Sequence, residues 1–243
     1  MTVVCIISSC SLTNWFIWGD GNSGDEDTLP VAVFELAEMA GYCNTVYVDA
    51  KTVKGRELSY TIKYDRGVTI VIIRGTANVE NAVADIDIRP LRDKKTGLWF
   101  HTGFAYASNA IFTDLKANFR LDQTVYVTGH SFGGAVAQII GIWLDKEGHN
   151  VQIYTFGAPK VTNVFLGNRP AHYRVAMRSD PVPFMPPLPF LHWGIYIDPE
   201  TLEWDESHEE TSFLQIDVRD HSIREYFNIL SEHIFPKLCD ECK

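Results

Sequence analysis

Residues 125–144 open with Val125-Tyr126-Val127-Thr128-Gly129-His130-Ser131-Phe132-Gly133-Gly134-Ala135 and continue to Leu144 with Val136, Ile139, Ile140 and Trp143 apolar. Val125 to Val127 reads as a strand, and Ala135 to Leu144 is long enough for a helix buried over most of its surface. Between them stands Gly-x-Ser-x-Gly. A serine hydroxyl attacks well only when a base takes its proton and the backbone projects it to where substrate can reach. A sharp strand-to-helix turn does this, and the flanking glycines avoid collision with the neighbouring strand and helix. The helix start also aims its positive end at the serine, which favours negative charge developing there. The five residues alone are a weak signal, whose plain alternative is a glycine-rich turn with an exposed serine. The strand before and the helix after favour Ser131 as a nucleophile and make the backbone N–H of Phe132, the next residue, available to an oxyanion.

Working outward, Val68-Thr69-Ile70-Val71-Ile72-Ile73 and Val151-Gln152-Ile153-Tyr154-Thr155-Phe156 are continuous apolar runs rich in β-branched residues, which suits strands buried on both faces. Strand, helix and strand over 125–156 make a βαβ unit, so the chain reads as α/β with a parallel sheet covered by helices. Upstream, Thr28 is placed to cap a helix with Pro30 in its first turn, ending near Gly41, followed by strand-like runs at Val46 to Val48 and Leu58 to Tyr64. The turn-rich Gly19-Asp20-Gly21-Asn22-Ser23-Gly24 sets residues 1–27 apart as an N-terminal extension from one domain over 28–243.

A formal net charge of -10 over 243 residues argues against nucleic acid, whose phosphates need Lys and Arg clusters, and disfavours anionic membrane surfaces. Val3, Val4, Ile6 and Ile7 have no basic residue before them and soon meet Ser8, Ser9 and Cys10, a poor fit to a signal peptide. No apolar run reaches the roughly 18 residues of a membrane span, so a soluble protein is expected. Five cysteines leave at least one unpaired within the chain. Cys239-Asp240-Glu241-Cys242 has metal-site spacing but no second Cys/His pair nearby, so no metal site is expected. Cys5 and Cys10 are candidates to pair with each other or with the C-terminal cysteines.

Further landmarks follow in order: Ile73-Arg74-Gly75-Thr76 after a strand, His101-Thr102-Gly103-Phe104, the serine turn, Phe156-Gly157-Ala158-Pro159, Ser179-Asp180-Pro181-Val182-Pro183, and Asp220-His221-Ser222 before Tyr226. With them the chain, from about Thr28 to Leu230, resembles the class 3 lipases, the α/β-hydrolases typified by filamentous fungal triacylglycerol lipases. The resemblance implies the α/β-hydrolase fold, a mostly parallel central sheet with helices on both faces. It implies that Asp180 and His221 join Ser131 in a catalytic triad, and the chain order Ser, Asp, His agrees. Asp180 follows the strand-like Tyr173 to Met177, where open α/β sheets carry functional loops, against the plainer reading of an Asp-Pro turn. His221 would take the proton of Ser131 and return it to the leaving alcohol, while Asp180 fixes its tautomer. Among the other histidines, His130 is expected to point away from its neighbour's site, His149 to lie in a turn and His208 in an acidic surface run. His233, in a helix-like segment, is the rival base. The resemblance also makes Thr76 the second oxyanion donor, whose loss would cost about 3 kcal/mol of transition-state stabilisation, and gives His101 and Gly103 a shaping role.

The family often carries an amphipathic lid after Arg-Gly-Thr. Residues 77–88 place Val79, Ala82, Val83 and Ile86 on one helical face, a small one without aromatics, which fits a mobile lid and a core-packed helix equally. Pro183 to Leu191 reads either as a greasy wall of an acyl cleft or as a rigid surface connection. The chemistry points to a lipase or carboxylesterase cleaving acylglycerol-type esters through an acyl-enzyme, with no cofactor and at most transient contact with a lipid surface. A phospholipase A1, a small-ester carboxylesterase, an acyl transferase and a catalytically silent binding module remain as alternatives.

Overall fold

The structure, a computed structural model, describes residues 28–54, 56–76, 89–164, 166, 170–206 and 217–235. Helix α1 (Val33–Asp49) leads into strands β1 (Lys51–Thr52), β2 (Ser59–Asp65) and β3 (Val68–Ile73). A β4 (Pro90–Arg92) and β5 (Trp99–His101) hairpin precedes α2 (Thr102–Asn118). Then come β6 (Thr124–His130), α3 (Phe132–Lys146), β7 (Asn150–Phe156), β8 (Ala171–Val175), β9 (Ile195–Ile197), β10 (Trp204–Asp205) and α4 (Ile223–Ile234). The main sheet has the order β1-β2-β3-β6-β7-β8-β9-β10. Strands β3, β6, β7, β8 and β9 run parallel, with antiparallel pairs at both edges. This is the mostly parallel, helix-covered sheet expected from the sequence.

The continuous apolar runs became central strands because both sheet faces are covered. Val71 and Ile73 face α2 and α3, packing with Val127, Ile153, Phe104, Leu115, Ile139 and Ile140. Ile70 and Ile72 face the other layer, with Leu36, Met39, Tyr154, Phe156, Tyr226 and Leu230. Alternate residues of one strand therefore serve opposite cores, and each fully buried aliphatic side chain contributes roughly 1.5–3 kcal/mol.

The first helix departs from expectation. It starts at Val33 with Ala32 as its cap, so Thr28 does not cap it. It also passes through Gly41 to Asp49 and absorbs Val46 to Val48, which the sequence suggested as a strand. Leu36, Met39, Ala40, Cys43 and Val46 lie on one helical face and are all buried against the sheet, and this burial carries the helix through the glycine. Gly41 serves close approach: a Cβ there would lie 3.2 Å from the ring of Phe227 on α4. Among the described residues no helix is long and apolar enough to cross a membrane. The suggested lid at 77–88, the extension at 1–27 and the Cys239–Cys242 pair lie outside the described residues, and Cys43 is a buried free thiol.

Candidate active site

Parallel pairing sets the turn. Ile73 is in register with Gly129, and His130 with Phe156, so the loops after β3, β6 and β7 leave the sheet side by side. Ser131 stands between β6 and α3 with φ 58° and ψ -129°, a left-handed conformation that costs a non-glycine residue about 1–3 kcal/mol and persists only where its surroundings enforce it. They do so here. A Cβ at Gly129 would strike the backbone of Gly133, and one at Gly133 would strike the carbonyl of Ile73. The Ser131 N–H donates to the Phe156 carbonyl at 2.9 Å. Ser131 is wholly buried, and its Oγ has no hydrogen-bond partner among the described residues.

Asp180 emerges five residues beyond β8 and is also fully buried. Its carboxylate accepts from three directions: the Val182 N–H at 2.9 Å, the Tyr226 hydroxyl at 2.7 Å, and His221 Nδ1 at 2.9 and 2.8 Å to the two oxygens. The Tyr226 hydroxyl in turn accepts from the Met177 N–H at 3.1 Å. Burial and the adjacent carboxylate push the Tyr226 phenol well above its usual range, so it stays a donor. With Nδ1 held by Asp180, the Nε2 of His221 is left buried and without a partner, as is Thr76 Oγ1. Ser131 Oγ, His221 Nε2 and Thr76 Oγ1 belong to three of the side chains that the sequence nominated.

Thr76 lies three residues beyond the end of β3, on the loop beside the serine turn; a Cβ at its neighbour Gly75 would sit 3.6 Å from Ser131 Cβ. Phe132 is the first residue of α3, so its N–H has no carbonyl one turn back to bond. The structure thus gathers Ser131, Phe132 and the Arg74–Thr76 loop at one end of the sheet, with Asp180 and His221 joined beside them. His233 is not among them: its Nε2 donates to the Pro199 carbonyl at 2.9 Å. His149 bonds the Asp122 carbonyl, and His101 stacks on Phe104 at 4.2 Å. His208 lies outside the described residues.

His130 differs from its expected orientation. Instead of pointing away, its Nε2 meets the His221 carbonyl at 2.8 Å, its Nδ1 meets the Tyr47 hydroxyl at 3.3 Å, and its ring lies 4.6 Å from that of His221. Burial first, then the His221 ring, pull its pKa down to about 3. The link from Tyr226 to Asp180 and that from His130 to His221 were the parts sequence reasoning missed. Tyr226 entered the sequence reading only as the residue that follows the Asp220-His221-Ser222 landmark.

Part of the proposed wall is apolar as expected, but it includes a short 3-10 turn at Val182–Phe184. Phe190 is buried 5.4 Å from the His101 ring, while Met185, Leu188 and Leu191 are exposed. Phe104 meets Phe132 at 5.7 Å, so aromatic rings run from Phe190 through His101 to the residue after Ser131. Among the described residues no group of three or more His, Cys, Asp or Glu is placed to hold a metal ion.

Residues 70–190 match the model of the family described as Lipase (class 3). The chain belongs to the class 3 lipase family. Among curated relatives, a secreted mono- and diacylglycerol lipase 1 of Fusarium solani is 36% identical over 133 residues, covering 50% of this chain and 40% of the relative. A lipase of Rhizopus niveus is 30% identical over 160 residues, covering 56% and 40%. The chain thus spans about two fifths of the length of these relatives. Among solved structures, the lipase of Rhizopus microsporus var. chinensis superposes with a TM-score of 0.64 at 22% identity, over 82% of this chain and 92% of that one. The Rhizomucor miehei triacylglyceride lipase gives 0.59 at 21%, over 78% and 92%. These two likenesses concern the fold alone.

Proposed function

We propose that the protein is a carboxylic-ester hydrolase acting on acylglycerol-type lipids, with Ser131 as nucleophile, His221 as general acid–base and Asp180 as the acid that orients it. The observation that carries this is a pair of buried, unpartnered atoms, Ser131 Oγ and His221 Nε2, at the end of a fixed chain from Tyr226 through Asp180 to His221 Nδ1. Leaving a buried polar atom unpaired costs about 1–3 kcal/mol, and these two are the atoms that acyl transfer requires. Catalytic hydrogen bonds often close only when substrate is bound.

In the first step His221 Nε2 takes the Ser131 proton as Oγ attacks the ester carbonyl. The oxyanion forms against the N–H of Phe132 and the donors of Thr76, worth about 3 kcal/mol each. His221 then returns the proton to the leaving alcohol, and water, activated the same way, hydrolyses the acyl-enzyme. The aromatic run from Phe132 to Phe190 and the exposed Met185, Leu188 and Leu191 support an apolar acyl chain and transient contact with a lipid surface. The names of the relatives support acylglycerols as the substrate class.

The test is a fluorophosphonate reaction followed by peptide mapping, with fatty-acid release measured from mono-, di- and trioleoylglycerol. Wild type is expected to carry the label on Ser131 and Ser131→Ala to carry none and release no acid. A folded wild type that stays unlabelled would overturn the nucleophile. Labelling together with hydrolysis of soluble short-chain esters alone would keep the chemistry and remove the lipid substrate.

A further inference from the structure

His130 stands next to the proposed nucleophile, and its two ring nitrogens are differently engaged. A carbonyl oxygen only accepts, so the 2.8 Å contact with His221 requires the proton on Nε2; Nδ1 then accepts from the Tyr47 hydroxyl. Burial keeps the ring neutral, and these two contacts then select the tautomer with its proton on Nε2. Neutrality matters, because a cation here, 4.6 Å from the His221 ring, would oppose the imidazolium that forms during turnover.

His221 lies at the end of a short 3-10 segment, Val218–His221. Asp180 holds its ring at Nδ1, with contacts of 2.9 and 2.8 Å to the two carboxylate oxygens. The His130 bond grips the same residue at its carbonyl. Two grips fix where Nε2 faces, and the second comes from the residue bonded to Ser131 itself.

We propose that His130 is a positioning residue that ties the backbone of the proposed base to the nucleophile's own turn, so that Ser131 and His221 move as one unit. The inference rests on the reading of Ser131 as nucleophile and His221 as base. A misplacement of about 1 Å between such groups costs on the order of 10²-fold in rate, so the tie acts on kcat and leaves substrate binding alone.

Two variants of similar polarity separate this from simple packing. The amide of Gln reaches the place of Nε2, whereas the amide of Asn reaches only that of Nδ1. His130→Gln and His130→Asn are assayed with a soluble p-nitrophenyl ester, with kcat expressed per site titrated by fluorophosphonate so that misfolded protein drops out. His130→Gln is expected to keep kcat within about threefold, and His130→Asn to lose about tenfold with KM unchanged, the scale of one lost hydrogen bond. Equal kcat per titrated site in the two variants overturns the proposal. Nitrogen NMR of the wild-type imidazoles gives a measurement independent of variant folding: His130 must be neutral with its proton on Nε2, and a proton on Nδ1 overturns the proposal. Labelled Ser131 with indistinguishable variants removes the role of His130 alone, whereas folded wild type that takes no label removes the catalytic reading and the proposal with it.

Discussion

Gly157, just beyond β7, faces the contact between Asp180, His221 and Tyr226. It has φ 54°, and a Cβ built on it would lie 2.5 Å from Asp180 Oδ2, 3.1 Å from His221 Nδ1 and 3.1 Å from the Tyr226 hydroxyl. In Gly157→Ala the carboxylate must recede from 2.5 to 3.4 Å to reach ordinary contact, a shift of about 0.9 Å. Such a shift breaks bonds that now measure 2.8 Å to His221 and 2.7 Å to Tyr226. A left-handed alanine adds about 1–2 kcal/mol of backbone cost, and a weakened charge-assisted hydrogen bond adds about 1.5–3 kcal/mol. Stability should therefore fall by about 2.5–5 kcal/mol. A displacement of this size in a catalytic constellation lowers kcat on the order of 10²-fold. Gly148→Ala is the control: φ is 93° and nothing lies within 4 Å of its Cβ, so it carries the backbone cost without the collision. The assay is urea unfolding for stability and p-nitrophenyl ester turnover per fluorophosphonate-titrated site for rate. If Gly157→Ala matches Gly148→Ala in kcat per site, the geometry around Asp180 does not govern the reaction and the reasoning fails.

Tyr226→Phe keeps the ring but strips Asp180 of one donor and the Met177 N–H of its acceptor; a loss of about 1–3 kcal/mol in stability and about tenfold in kcat is expected, and unchanged values in both assays would refute the role. His130 and His172 are buried and held neutral, the first down to about 3 from 6.5 and the second well below 6.5. Both are neutral in folded and unfolded chains above 6.5, so they cost nothing there. As pH falls the unfolded chain binds protons that the folded one refuses, so stability declines from 6.5 towards about 3 for His130. The slope reaches about 2.7 kcal/mol per pH unit for the two together. Urea midpoints at about pH 7 and about pH 5 test this, and a flat profile would contradict it. His233→Ala should keep most activity, because His233 Nε2 is engaged with the Pro199 carbonyl; a loss as deep as that of His221→Ala would transfer the base to His233.

The sequence by itself determined the scaffold and nominated the residues of the candidate site. The unbroken β-branched run at 68–73 and the mostly apolar run at 151–156 encode burial on two faces, which a helix-covered parallel sheet provides. The glycines around Ser131 encode a turn too tight for side chains, since a Cβ at Gly133 would strike the Ile73 carbonyl. These are local signals, set by the period of the chain and the volume of its side chains. Where α1 ends was not local. Gly41 looked like a stop, yet the sheet buries Cys43 and Val46 beyond it, and the glycine proved to be where Phe227 comes close. Nor could sequence orient His130, whose ring nitrogen meets a carbonyl 91 residues away, or show that Tyr226 closes on Asp180 across 46. A residue's type states which bonds it is able to make, but only tertiary packing decides which partner stands within 3 Å and whether water is kept from competing for it.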